Sequence, residues 1–387
     1  MRAVRRQLEP VLAKAARAFS DVVLTGPRSA GKTCLLRHLF PRASYRLLED
    51  PAVLARVRSD PDAFLDELEL PAILDEVQNV PEIFAHVRAR IDREPRKTGR
   101  WFLTGSQEAG LMKGVTESMA GRAAMLQLLP MSVAESSKVT LLRGGFPEVL
   151  ARPRAATLWF DAYLQTYLER DVRGITAVHD LALFRRFIAL VASRHGQVLN
   201  KTDLAAPLGL SIPSIGRWLD ILEATQQIML VPPYFETVGK RLIKSPKLYV
   251  ADSGLACHLL GIRTETELTR SPFYGAVFEG WVASEIAKTQ LHAGRRRELY
   301  YFRDQQGLEV DFVVPTGGRS ALLVEAKAGK TVRPQDATAV RRLMEAMEAT
   351  GLRTRGVVVH RGANTDAGHA LAPGITAVTL DELLALL

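Results

Sequence analysis

The sequence predicts an α/β protein: a P-loop parallel sheet flanked by helices, then a helical segment ending in a winged helix-turn-helix, then a second α/β region. Three observations carry that order. The string Gly26-Pro27-Arg28-Ser29-Ala30-Gly31-Lys32-Thr33 stands between the apolar run Val22-Val23-Leu24 and a stretch from Leu35 to Phe40 that has the pattern of a buried helix face. A helix, a Gly-containing turn and a second helix are legible between Lys201 and Ala224, with a β-rich stretch from Gln227 to Tyr234 after them. Toward the C-terminus, Ala321 to Lys327 is an apolar strand that carries Glu325 and Lys327.

Length and composition bound the possibilities. A chain of 387 residues has room for two or three domains that each bury a core. With 47% hydrophobic and 24% charged residues, neither a disordered nor a fibrous protein is indicated. No apolar run approaches a membrane span, so no membrane partner is expected. The two cysteines, Cys34 and Cys257, are far apart, which argues against a disulfide framework and for a reducing cytoplasm. The net charge of +9 favours an anionic partner, with simple solubility as the alternative. Met1 to Phe19 is Arg-rich with one acid, Glu9, yet lacks the apolar core of a targeting peptide. Val4, Leu8, Leu12 and Ala15 recur at helical spacing there and predict a packing helix.

The first domain is expected over residues 1–150. Its phosphate loop matches G-x-x-x-x-G-K-[ST], in which Gly26 and Gly31 let several backbone N–H groups turn inward and the helix dipole favours an anion. Pro27, Arg28, Ser29, Ala30 and Cys34 complete the wrap around the phosphates. Lys32 is placed to neutralise the β- and γ-phosphates, and the Thr33 hydroxyl to hold Mg2+. Ser44 to Leu48 reads as a second strand. Pro71 to Leu74 reads as a third, buried and parallel, delivering Asp75 and Glu76 to the same sheet edge. Asp75 would complete the Mg2+ shell and Glu76 would polarise the attacking water, because phosphoryl transfer depends mostly on positioning and charge neutralisation. Trp101 to Ser106 is the fourth strand. Ser106 is the candidate sensor of the γ-phosphate, with Gln107 as the alternative. Arg122 precedes the strand Ala123 to Leu129. It is a candidate for reaching a nucleotide held by a neighbouring subunit of a homo-oligomer, the alternative being a solvated surface arginine.

These residues resemble a known family: prokaryotic AAA+-type ATPases that join an ATPase domain, through a winged-helix segment, to a C-terminal domain of the restriction-endonuclease-like, PD-(D/E)xK superfamily. The matching strings are GPRSAGKT, ILDEVQ, FLTGSQ, SMAGRAAMLQLLPMS, RGGFPE from Arg143 to Glu148, and YLQTYLERDVR from Tyr163 to Arg173. The resemblance implies a sheet with an additional strand, ATP rather than GTP as the nucleotide, Glu76 as the catalytic carboxylate, and support for Arg122.

A helical linker and winged helix-turn-helix are expected over residues 151–272. Leu183 to His195 is amphipathic, Lys201 to Ala205 begins a second helix with Thr202 as its cap, and Gly209-Leu210-Ser211 turns into a third, from Pro213 to Ala224. If DNA binds here, Ser211, Ser214 and Arg217 lie near the start of the recognition helix, and Lys240 to Lys247 supplies four positive charges to phosphates. The alternative is a lid or protein-docking module.

The third region is expected over residues 273–387. A helix from Tyr274 to Thr289 carries Glu279 and Glu285, and strands follow at Leu299 to Arg303 and Val310 to Val314, the latter with Asp311. Period-two geometry puts Glu325 and Lys327 on one strand face. Asp311, Glu325, Lys327 and Glu279 resemble the D…(D/E)-x-K constellation of the restriction-endonuclease-like fold. That likeness implies a divalent metal held by Glu279, Asp311 and Glu325, with Lys327 orienting the nucleophile or stabilising the transition state. A salt-bridged rim of a degenerate nuclease is the alternative. Glu279 is preferred to Glu285, which faces another side of the helix.

The leading expectation is therefore a cytoplasmic, Mg2+-dependent ATPase acting on DNA, with hydrolysis coupled to domain movement. The rivals are a nucleotide-dependent switch that docks a protein partner, and an ATP-gated nuclease.

Overall fold

The computed structural model describes residues 4–105, 119, 121–168, 172, 180–234, 243–362 and 369–387. They form two compact units, one of Met1–Met131 with Ala224–Gln226 and Leu291–Arg295, the other of Ser132–Glu223, Gln227–Gln290 and Arg296–Leu387.

The first unit is built on five parallel strands: β1 (Asp21–Thr25), β2 (Ser44–Leu47), β3 (Ala72–Asp75), β4 (Trp101–Gly105) and β5 (Ala123–Gln127). Their spatial order is β2-β3-β4-β1-β5, so β4 is inserted between the strand that enters the phosphate loop and the strand that ends at Asp75. Alternation along each strand feeds both faces. Val22, Leu24, Ile73 and Phe102 join Leu8, at the cap of the N-terminal helix, Leu12 within it, and Leu35 and Leu36 of the Lys32–Leu39 helix on one side. Val23, Leu74, Trp101 and Leu103 pack with Phe64, Phe84 and Val87 on the other. Burial on both faces explains why these strands read as continuous apolar runs. In the N-terminal helix, Glu9–Ala18, the buried positions include Leu12 and Ala15 as expected, whereas Val4 lies outside it and is exposed.

The second unit holds two sheets. Strands β6 (Gln197–Val198), β7 (Ile228–Val231) and β8 (Lys247–Val250) form an antiparallel sheet ordered β6-β8-β7. It follows helices Leu181–Ser193, Lys201–Ala205 and Ile212–Ala224, with Gly209 turning between the last two at φ 64°. The cap of the middle helix differs from expectation: the Asn200 side chain accepts the Thr202 N–H at 3.0 Å, so Thr202 is inside the helix. A mixed six-stranded sheet is ordered β13-β14-β12-β11-β10-β9, from β9 (Tyr300–Arg303), β10 (Glu309–Gly317), β11 (Ser320–Lys327), β12 (Arg353–His360), β13 (Ala370–Ala372) and β14 (Ile375–Val378). The middle and C-terminal segments share one core, in which Met229, Val231 and Tyr249 pack with Phe278, Val282, Tyr301 and Phe312.

Candidate functional site

The phosphate loop runs from the end of β1 to the Lys32–Leu39 helix, as the motif requires. Two glycines are necessary for local reasons. A Cβ on Gly26 would lie 2.1 Å from the carbonyl oxygen of Leu128, and Gly31, at the helix N-cap, has φ 99°. The loop is braced from a direction the sequence did not reveal. Buried Arg6 donates from Nη1 to the Ala30 carbonyl at 2.9 Å and from Nη2 to the Leu129 carbonyl at 2.6 Å. An N-terminal arginine with no motif around it gives no sequence signal for this. Lys32, 5% exposed, donates from Nζ to the carbonyls of Gly26 at 2.9 Å and Pro27 at 3.1 Å, which keeps its ammonium over the loop.

β3 delivers its acids to the same edge. The Thr33 hydroxyl donates to Asp75 Oδ2 at 2.7 Å, the Tyr45 hydroxyl donates to the same oxygen at 2.8 Å, and Thr104 donates to Asp75 Oδ1. Burial and the Asp75 carboxylate push the Tyr45 phenol well above its ordinary range, so it stays a donor. Glu76 takes a left-handed backbone, φ 59° and ψ 49°, which is costly for a residue with a side chain and recurs at functional sites. Its N–H faces Thr104 Oγ1 at 3.4 Å, Asn79 Nδ2 donates to its carbonyl at 3.0 Å, and Gln78 Nε2 donates to its carboxylate. Thr33 and Asp75 thus present a hydroxyl and a buried carboxylate side by side, a hard oxygen pair suited to Mg2+. Lys32 and the helix N-terminus suit a triphosphate, so the residues fit both groups.

Arg122 is elsewhere. Asp21 of β1 pairs with Ala123 and Thr25 with Gln127, so Arg122 lies at the strand-start edge, about 13 Å along the strand from the loop at ~3.3 Å per residue. Its Nε donates to Asp92 Oδ1 at 2.5 Å, and this bond holds the Asp92 carboxyl below its usual range. Arg122 therefore cannot serve the loop of its own chain. Cys34 is exposed in the first turn of the loop's helix. Ser106 and Gln107 lie outside the described residues, as do Lys240, Arg241 and Leu242.

In the second unit the structure brings Glu279, Asp311, Glu325 and Lys327 into one cluster and adds a residue the sequence reading had assigned otherwise. Lys247, expected from the basic stretch to contact phosphates, is 2% exposed and cannot reach DNA. Its ammonium lies 2.6 Å from Glu309 Oε1, 2.9 Å from Glu279 Oε1 and 3.4 Å from Asp311 Oδ1. Burial alone would lower its pKa, but Glu279, Asp311 and Glu309 together raise it, so the charge is retained. The Tyr249 hydroxyl also donates to Glu279 Oε1, at 2.5 Å. Asp311 Oδ2 accepts the Ala326 N–H at 2.9 Å, Lys327 donates to Glu325 Oε1 at 2.7 Å, and Glu325 Oε2 is buried without a partner. Burial, then the Asp311 charge, pushes Glu279 up to about 7 and Glu325 up to about 8. Among the described residues no group of three or more His, Cys, Asp and Glu side chains is disposed to hold a metal ion. Where the sequence predicts a metal site, Glu279 and Asp311 are tied to Lys247 and Glu325 is tied to Lys327. Glu285 is separate, buried and paired with Lys288 at 2.7 Å.

The loop and parallel sheet of the first unit are those of a P-loop nucleotide-binding fold, and one family model matches this region. Residues 19–137 match a model described as an AAA domain, residues 135–266 a domain of unknown function (DUF8612), and residues 274–382 another (DUF4143). Uncharacterized proteins of Mycobacterium tuberculosis and Mycobacterium bovis are each 32% identical to the chain over 394 aligned positions, covering 99% of it and 87% of their own length. The chain belongs to the family of these mycobacterial proteins. Among solved structures, a Walker-type ATPase of Pyrococcus abyssi is similar at 15% identity, over 65% of this chain and 94% of that one, with a TM-score of 0.45. The PCH-2 protein of C. elegans is similar at 14% identity over 57% and 68%, with a TM-score of 0.22. Among the described residues, no helix is long and apolar enough to cross a membrane.

Proposed function

We infer that the chain binds and hydrolyses ATP with Mg2+ and that hydrolysis is coupled to engagement of DNA. The observation that carries the first part is the 2.7 Å hydrogen bond from Thr33 to Asp75, with Glu76 next in sequence on the same sheet edge. Mg2+, when bound there, supplies charge neutralisation to the transferring phosphoryl group. Lys32 and the loop N–H groups would hold the β- and γ-phosphates, and Thr33 and Asp75 would hold the ion. Glu76, held by Asn79, Gln78 and Thr104, is placed to accept a proton from the attacking water.

DNA is the finer part of the reading, supported by the second unit's surface and the net charge of +9. Ser211, Ile212 and Arg217 are exposed at and near the start of the Ile212–Ala224 helix, where Arg217 Nη2 donates to Ser214 Oγ at 3.1 Å. Lys244, between β7 and β8, is exposed, but Lys247 no longer counts toward a basic strip. A helix–turn–helix followed by antiparallel strands, with a polar and basic helix start, is the arrangement a winged helix presents to a major groove. The test is the steady-state ATPase rate with and without duplex DNA across a salt series. Stimulation at low salt that disappears as salt rises is expected. An ATPase rate indifferent to DNA at every salt would overturn the DNA reading and turn attention to a protein partner at the same helix pair.

A further inference from the structure

We propose that the Lys247 ammonium is the resident cation of the acidic cluster in the second unit, standing where a metal ion would otherwise be required, so that this region acts without a bound divalent metal. The geometry comes from three different elements. Glu279 lies on the helix Tyr274–His292, Glu309 and Asp311 lie on β10, and Lys247 reaches them from β8 of the other sheet. A side chain that is 2% exposed, with three carboxylates at 2.6 to 3.4 Å, has exchanged its hydration for them almost completely. The ring of Tyr301 lies 5.7 Å from the same ammonium, and its hydroxyl donates to the Ser245 carbonyl just ahead of β8, which closes the remaining side.

A lysine and a divalent ion compete for the same thing, the negative charge of crowded carboxylates that would otherwise repel. Lys247 delivers its charge on a strand already paired on both sides, with β6 and β7, so no ion need be recruited from solution. A hard divalent ion entering this cluster would meet an ammonium within bonding distance of two of its expected ligands, Glu279 and Asp311. The same arrangement gives Lys247 a structural task, the tying of the three-stranded sheet to β10 within one unit. This inference is independent of the ATPase reading, since none of its residues belongs to the phosphate loop.

The test is Mn2+ binding, followed by electron paramagnetic resonance without nucleotide, in wild type, Lys247→Met and Asp311→Asn, together with thermal melting of each in a chelator. Wild type and Asp311→Asn are expected to bind Mn2+ identically, because no ion sits at the cluster. Folded Lys247→Met is expected to gain a Mn2+ site that a second change, Asp311→Asn, removes. Asp311→Asn alone is expected to melt below wild type in the chelator, since it strips a partner from a buried cation. If Lys247→Met does not fold, the Asp311→Asn comparison decides. Wild-type Mn2+ binding that is lost in Asp311→Asn overturns the proposal, and so does an Asp311→Asn protein that melts higher than wild type, as relief of carboxylate repulsion in an empty metal site would produce. Folded Lys247→Met without any new Mn2+ site overturns it as well.

Discussion

Asp21, the first residue of β1, is fully buried, with neither carboxyl oxygen in hydrogen-bond geometry. Burial raises its pKa well above the ordinary carboxylate value, and the nearby Val22 N–H offsets this only in part. An unpaired buried polar group of this kind costs about 1–3 kcal/mol by mutational measures. Asp21→Val should therefore stabilise the first unit by about that amount at neutral pH in denaturant titrations. A loss of stability would contradict this account of the site. Glu76 shows how far the sequence reaches at a single position. Its identity and its place after an apolar strand are legible, but the left-handed backbone that aims it depends on Thr104 and Asn79, which no local pattern connects to it.

Strings that resemble a family turn out to have separate physical causes. In RGGFPE, a Cβ on Gly144 would lie 1.9 Å from Asp252 Oδ1, and the Gly145 N–H donates to Asp252 Oδ2 at 2.8 Å. A Cβ on Gly254 would in turn strike the Arg143 carbonyl at 2.2 Å, so the Gly144 turn and the start of the Ser253–Leu259 helix interlock and the motif is a packing device. Gly280, beside Glu279, leaves room for His195, whose Nε2 would be 2.1 Å from a Cβ there. Strands β10 and β11 are readable because their apolar runs and the Glu-x-Lys string are local. Lys247 was not, because a lysine in a basic stretch looks solvated until the fold brings three acids to it. The cluster also makes a pH prediction. Glu279 and Glu325 are raised in the folded protein to about 7 and about 8 from an ordinary 4.5, by burial first and by Asp311 second, against the lowering effect of Lys247 and Lys327. The folded state thus holds extra protons between about pH 4.5 and 8, and their stabilising contribution is full below that window and lost as pH rises through it. Melting across this range should show a shallower decline in Glu325→Gln than in wild type. Parallel curves would show that Glu325 ionises as it does in the unfolded chain.

The whole molecule combines a parallel P-loop sheet legible almost strand by strand with a second unit whose two sheets share a core that sequence periodicity did not foretell. Strands β1, β3 and β4 are legible as apolar runs buried on both faces, whereas the order β2-β3-β4-β1-β5 is seen only in the fold. Arg122 lies at the edge away from its own loop and is paired with Asp92, so we propose that any nucleotide it serves is held by a neighbouring copy. We expect Arg122→Ala to bind ATP normally and to lose about 10³-fold or more in turnover in the assembled state. Turnover at the wild-type rate would make it a surface ion pair. Everything proposed for the chain as an engine rests on Glu76, so the decisive measurement is ATP binding and single-turnover hydrolysis by Glu76→Gln beside wild type. Unchanged nucleotide affinity with hydrolysis reduced by about 10²- to 10⁴-fold is the predicted result. Hydrolysis at the wild-type rate would remove Glu76 from the chemistry and leave the loop as a nucleotide-binding site alone.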